Sequence, residues 1–264
     1  MTYPKVIIFA VITAVITAVL NLIPAFKNTS FQDIAVTPEC WILFAVFIIV
    51  NCKTWHEATI KTFLFFLISQ PLIYLIEVPF SALGFGIYQY YIYWAKVTLL
   101  TIPGSAIAFL IKRKDWISVF VLSIANIMLA SIGADHFWEA YTSFPRHLLS
   151  VIFCLGVAVF FVFLILEKKI HRYVALAVTV IAFVIALFIT KPVLSCELML
   201  PEGNWSYTMD NGSIVNLSME DSTNCKFSYV SQGYDTVTFT NENGEVLEYA
   251  ITVTGGGIFV NQIN

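Results

Sequence analysis

Glu167-Lys-Lys-Ile-His-Arg-Tyr173, then Val174-Ala-Leu-Ala-Val-Thr-Val-Ile-Ala-Phe-Val-Ile-Ala-Leu-Phe-Ile-Thr190, then Lys191-Pro192, is the stretch that decides the fold. From Tyr173 to Thr190 there is no charged side chain. A helix of that length approaches what is needed to cross a hydrocarbon core of ~30 Å. Three basic residues stand at its start, and Pro192 stops the helix beyond its end.

Working outward, comparable apolar runs begin near Lys5, Cys40, Thr62, Val97, Trp116 and His147. The expectation is a polytopic helical membrane protein of about seven transmembrane helices, at residues 6–23, 38–52, 62–80, 96–111, 116–132, 147–166 and 173–190. Nine of the 14 Lys and Arg residues (Lys5, Lys53, Lys61, Lys112, Arg113, Lys114, Lys168, Lys169, Arg172) fall at every second junction. Positively charged loops are retained in the cytoplasm, which predicts a cell-membrane protein with its amino terminus inside and its carboxyl terminus outside. Residues 1–190 form the membrane domain on this reading and 191–264 an extracytoplasmic domain. The second span is the shortest, since Cys40 to Cys52 falls below the ~20 residues a crossing helix needs. Pro38 and Glu39 suit the opening turn of its helix.

Composition agrees with lipid as the main solvent and the bilayer as the main partner. The chain is 59% hydrophobic and 12% charged, with a mean hydropathy of +0.82. The segment from Lys191 onward is acidic, and the absence of a basic patch with interleaved aromatics argues against nucleic acid. No cofactor-binding signature is present: phosphate-binding glycine loops, serine nucleophile elbows and Cys-x-x-Cys pairs are all missing.

The first span contains Ala10-Val-Ile-Thr-Ala14-Val-Ile-Thr-Ala18, a stripe of small residues suited to close helix packing. One Lys and no small-x-small cleavage site favour a retained span over a signal peptide. The stretch Ala82-Leu-Gly-Phe-Gly-Ile-Tyr-Gln-Tyr-Tyr-Ile-Tyr-Trp94 is expected to lie in the outer interface or to re-enter the bilayer.

Used as rulers, the cytoplasmic basic residues place Pro71, Pro103 and Asn126 about 14 to 17 Å deep, near the bilayer centre. Proline breaks at Pro71 and Pro103-Gly104, with Gln70, Ser105 and Asn126 in the same layer, predict a midplane cavity holding a small solute. Ordinary interhelical bonding is the competing explanation. Glu77 and Lys96 are expected to pair at the outer mouth. Asp135, His136, Glu139 and His147 lie on what reads as the next exterior loop. They offer a loose set for a metal or for acid–base chemistry in an intramembrane hydrolase, although a solvated loop is the simpler reading and no metal set is assigned. The preferred function is therefore binding or translocation of a small solute rather than catalysis. The alternative is a sensor or scaffold whose exterior domain binds an envelope protein.

From Cys196 onward the pattern becomes short alternating runs separated by turns at Asp210-Asn211-Gly212, Gln232-Gly233 and Asn243-Gly244, which reads as a small β-sandwich. Cys196 and Cys225 are expected to form a disulfide, with Cys40 as the rival partner. The order Asn204-Trp-Ser-Tyr-Thr-Met, Phe227-Ser-Tyr, Gly233-Tyr-Asp-Thr-Val-Thr-Phe239 and Tyr249-Ala-Ile-Thr-Val253 resembles chagasin-type and bacterial immunoglobulin-like domains. In place of the chagasin loops, this chain has Leu200-Pro-Glu-Gly203 and Asn241-Glu-Asn-Gly244. The resemblance therefore implies an immunoglobulin-like fold, not protease inhibition.

Overall fold

A computed structural model of the chain describes residues 1–210, 212, 214–254 and 257–263. Eight α-helices precede seven β-strands among these residues. They fall into two packing units, Met1–Phe137 with Pro145–Ala186, and Trp138–Phe144 with Leu187–Asn264.

The helices are α1 (Tyr3–Leu22), α2 (Ser30–Val36), α3 (Pro38–Val50), α4 (Trp55–Glu77), α5 (Tyr88–Ala108), α6 (Trp116–Thr142), α7 (Leu148–Ile165) and α8 (Lys169–Ile189). Six helical segments are long and apolar enough to cross a membrane. A seventh is reached only if α2 and α3, bent by 48° at Thr37, count as one broken span. Many large apolar side chains point outward, among them Ile8, Phe120, Phe163 and Phe188. A surface of that composition suits lipid and not water. Ala10, Ala14 and Ala18 are fully buried, and α1 packs along α4. The small-residue stripe therefore serves close packing within the bundle.

Several element boundaries differ from the sequence expectation. Helix α4 begins at Trp55, ahead of the apolar run, because Thr54 accepts the Glu57 amide at 3.2 Å while Glu57 Oε2 accepts the Lys53 amide at 2.7 Å. These reciprocal bonds resemble a capping box, satisfying donors that would otherwise be orphaned. The aromatic stretch ending at Trp94 is largely helical; from Tyr88 onward it is the first part of α5. Helix α6 runs on to Thr142, so Gly133 to Glu139 are helical. Pro71 and Pro103 lie inside uninterrupted helices, not at breaks. Pro103 and Gly104 are exposed, and a Cβ on Gly104 would meet nothing within 4 Å.

The carboxyl-terminal strands are β1 (Ser195–Met199), β2 (Trp205–Met209), β3 (Val215–Met219), β4 (Asn224–Tyr229), β5 (Gly233–Asn241), β6 (Val246–Thr254) and β7 (Gly257–Gln262). They make two antiparallel sheets, ordered β1-β4-β3 and β2-β5-β6-β7. Alternating positions from both sheets, including Phe227, Val237, Phe239 and Ile251, fill one core. Two antiparallel sheets around one core fit the β-sandwich class expected. Gly257 begins β7 with φ 130°, where a Cβ would stand 2.7 Å from the Val193 backbone nitrogen and oxygen. Gly255, Gly256 and the turn residue Asn211 lie outside the described residues.

All five cysteines are free, so the expected Cys196–Cys225 disulfide is not formed in this structure. The register explains it: Cys196 faces Phe227, whereas Cys225 faces Leu198. The two cysteines are thus diagonal neighbours, and Cα atoms so placed are typically ~7–8 Å apart, beyond ordinary disulfide reach. The Cys225 Sγ lies 3.4 Å from the Leu198 carbonyl, and burial pushes its thiol up to about 11.

Candidate functional site

Seven residues of helix organise the polar interior of the first unit. Before α2, Asn28 has φ 55° and donates its amide to Gln32 Oε1 at 2.9 Å. That bond orients the Gln32 side chain across the start of the helix. Gln32 Nε2 then donates to Asn21 Oδ1 at 2.8 Å, and Asn21 Nδ2 donates to Glu77 Oε1 at 2.8 Å. The relay joins α2, α1 and the end of α4, and each amide has one orientation that satisfies it.

Glu77 is 5% exposed and belongs to a cavity of about 50 Å³ that is also lined by Thr17, Asn21, Trp41, Gln70 and Trp94. Two residues of that lining, Gln70 and Trp41, carry buried side-chain nitrogens, Nε2 and Nε1, with no hydrogen-bond partner among the described residues. An unmade bond of this kind costs about 1–3 kcal/mol, so the cavity favours an occupant with an acceptor. The indole rings of Trp41 and Trp94 lie 5.8 Å apart.

The expected pairing of Glu77 with Lys96 is not formed among the described residues: Asn21 holds Glu77, and Lys96 is exposed. Nor does the expected midplane layer converge. Of its three polar members only Gln70 reaches the cavity. The Ser105 hydroxyl bonds back to the Thr101 carbonyl of its own helix. Asn126 Nδ2 donates to Thr179 Oγ1 at 3.0 Å and to the Ala158 carbonyl at 3.4 Å, tying α6 to α8 and α7. Short polar side chains in apolar helices find the nearest backbone or hydroxyl partner, and equal depth does not bring them together.

Asp33, the neighbour of Gln32, supplies a second polar cluster. Its Oδ2 lies 2.7 Å from His147 Nδ1, accepts the Ser150 hydroxyl at 2.8 Å, and is 3.8 Å from His136 Nδ1. The Ser30 hydroxyl, donating to the Arg146 carbonyl at 2.9 Å and accepting the Ser150 amide at 3.0 Å, fastens α2 to the start of α7. The other ring nitrogen of His136, Nε2, is 3.4 Å from Glu39 Oε1. Glu39, in the first turn of α3, is fully buried; its Oε1 accepts the Thr37 hydroxyl, and its Oε2 has no hydrogen-bond partner among the described residues. Ligand atoms of Glu39, His136 and Cys154 lie within 4.8 Å of one another. Cys154 is fully buried on α7, and a Cβ on Gly133 of α6 would stand 3.1 Å from its Cβ. Glycine at 133 therefore lets α6 and α7 approach closely at the thiol.

The solvated-loop reading of this region is thus corrected: His136 is 5% and His147 7% exposed. Asp135, next to His136 on α6, is exposed. Glu139, one turn further along α6, falls in the second packing unit. Asp33, Glu39, Ser150 and Cys154 were not among the sequence candidates. One signal for them exists, since His147, Ser150 and Cys154 are spaced three and four apart and share a helix face.

No family model matches the chain, and neither a curated protein nor a solved structure does.

Proposed function

We propose that the protein is an integral membrane receptor for a small amine that also carries an oxygen acceptor. One observation carries the reading: a buried carboxylate, Glu77, lines a cavity together with Gln70 and Trp41, whose side-chain N–H groups have no hydrogen-bond partner among the described residues. The carboxylate suits an ammonium group, and the faces of Trp41 and Trp94 attract the same charge. The two donors suit a hydroxyl or carboxylate oxygen on the other end of the solute.

Size narrows the class. At ~10–15 Å³ for each water-sized occupant, a cavity of about 50 Å³ takes about four heavy atoms. Ethanolamine, with four heavy atoms, and glycine, with five, are near that size and carry both groups. The cavity supports binding, and passage through the bilayer is a separate step that it does not require.

The test is titration of the purified full-length chain in detergent with ethanolamine and glycine by calorimetry. Saturable binding is expected, weakened at least tenfold by Glu77→Gln and also by Gln70→Ala, with Lys96→Ala unchanged. Binding that survives Glu77→Gln undiminished would overturn the reading.

A further inference from the structure

Glu39, His136 and Cys154 make a second site of different chemistry, and we infer that it holds a zinc ion. The three come from α3, α6 and α7, far apart in sequence, and their ligand atoms lie within 4.8 Å of one another. A thiol, an imidazole and a carboxylate together suit a borderline-soft cation such as Zn2+, and three protein ligands leave a fourth position open.

Glu39 supplies the independent observation. A fully buried carboxylate oxygen with no hydrogen-bond partner is costly, and Oε2 is such an atom. Metal coordination satisfies it directly. Charge closes as well: the carboxylate and the thiolate carry one negative charge each, so a dication leaves the buried group neutral. The thiol proton goes to solvent on binding.

The surroundings have the form of an outer shell. With Nε2 of His136 on the metal, its Nδ1 faces Asp33 Oδ2 at 3.8 Å, and that carboxylate is fixed by His147 and Ser150. A carboxylate behind a ligating imidazole orients the ring and raises its basicity. The Thr37 hydroxyl does the same for Glu39 Oε1. Asp33 is therefore a positioning residue, and Gly133 gives Cys154 its place against α6.

The site shares no residue with the lining of the amine cavity, so its test is separate. The purified full-length chain, stripped with chelator under reducing conditions, is titrated with Zn2+ against a chromophoric indicator and separately with Co2+. One ion per chain is expected, and Co2+ should give a near-ultraviolet thiolate-to-metal charge-transfer band. Cys154→Ala removes the band, and Glu39→Gln weakens Zn2+ at least tenfold. Asp33→Asn weakens it by about ten- to a hundredfold while the band persists. His147→Ala also leaves the band. Failure to bind Zn2+, or Co2+ binding with no thiolate band, overturns the proposal; the latter would place the ion with Asp33 and His147. Both readouts use the wild-type chain, so they stand even if a variant does not fold.

Discussion

Asn126 is buried where α6, α7 and α8 meet, donating to Thr179 and to the Ala158 carbonyl. Its work is attachment. Asn126→Ala is expected to lower stability by about 1 kcal/mol, the usual worth of an interhelical hydrogen bond in lipid, without altering amine binding. Reversible denaturation in micelles, alongside the amine titration, measures both quantities. A single polar residue in an apolar span is visible in sequence, but its partner is not. Gln70 and Ser105 read alike by depth, yet one reaches a cavity and the other its own backbone. Asp33 and Glu39 carry no such signal, because a carboxylate beside a helix start is an ordinary capping residue until tertiary packing buries it.

At the scale of elements, the turn between β3 and β4 carries a pH dependence. Asp221 accepts from the Asn224 side chain, from the Thr223 and Asn224 amides and from the Thr223 hydroxyl, and these bonds hold its carboxyl down to about 2. An unperturbed aspartate titrates near ~3.9. The lowered folded value means that the ionised form stabilises the turn fully above about pH 4, and that this contribution is lost as pH falls towards 2. Amide protection in the β3–β4 hairpin, taken relative to the intrinsic exchange rate at each pH, should fall as pH drops across that window, and Asp221→Ala should remove the fall. A flat wild-type profile would contradict the assignment.

The strands themselves were legible because period-two alternation and turn residues are local signals. The disulfide was not, since pairing depends on register and a two-residue offset separates diagonal cysteines from opposed ones. The lengthening of α4 and α6 has a similar cause. Capping by Thr54 and Glu57 extends α4 beyond the apolar window, and in α6 polar residues from Asp135 onward continue a helix whose other face is buried.

At the scale of the molecule, the basic residues at alternate junctions predict a side for each end. Inserted in a bilayer, a single cysteine placed at Lys53 or Arg113 should react with a membrane-impermeant maleimide only after permeabilisation, whereas one placed at Glu202 should react on intact cells. The reverse pattern would invert the topology. Apolar length and charge asymmetry are properties of whole segments, which is why the helical class was legible throughout. The polar interior was not, since it is assembled by α2 and α3 from either side of a 48° bend.

That bend and the short helix before it make a lever. Gln32 holds the relay to Glu77, and Asp33, the next residue, holds His147, Ser150 and the back of His136. A rigid-body shift of that seven-residue helix would carry both side chains, and would in that way couple the two clusters. By thermodynamic reciprocity, the factor by which a cation behind Asp33 changes the affinity for an amine beside Glu77 is the factor by which the amine changes the affinity for the cation.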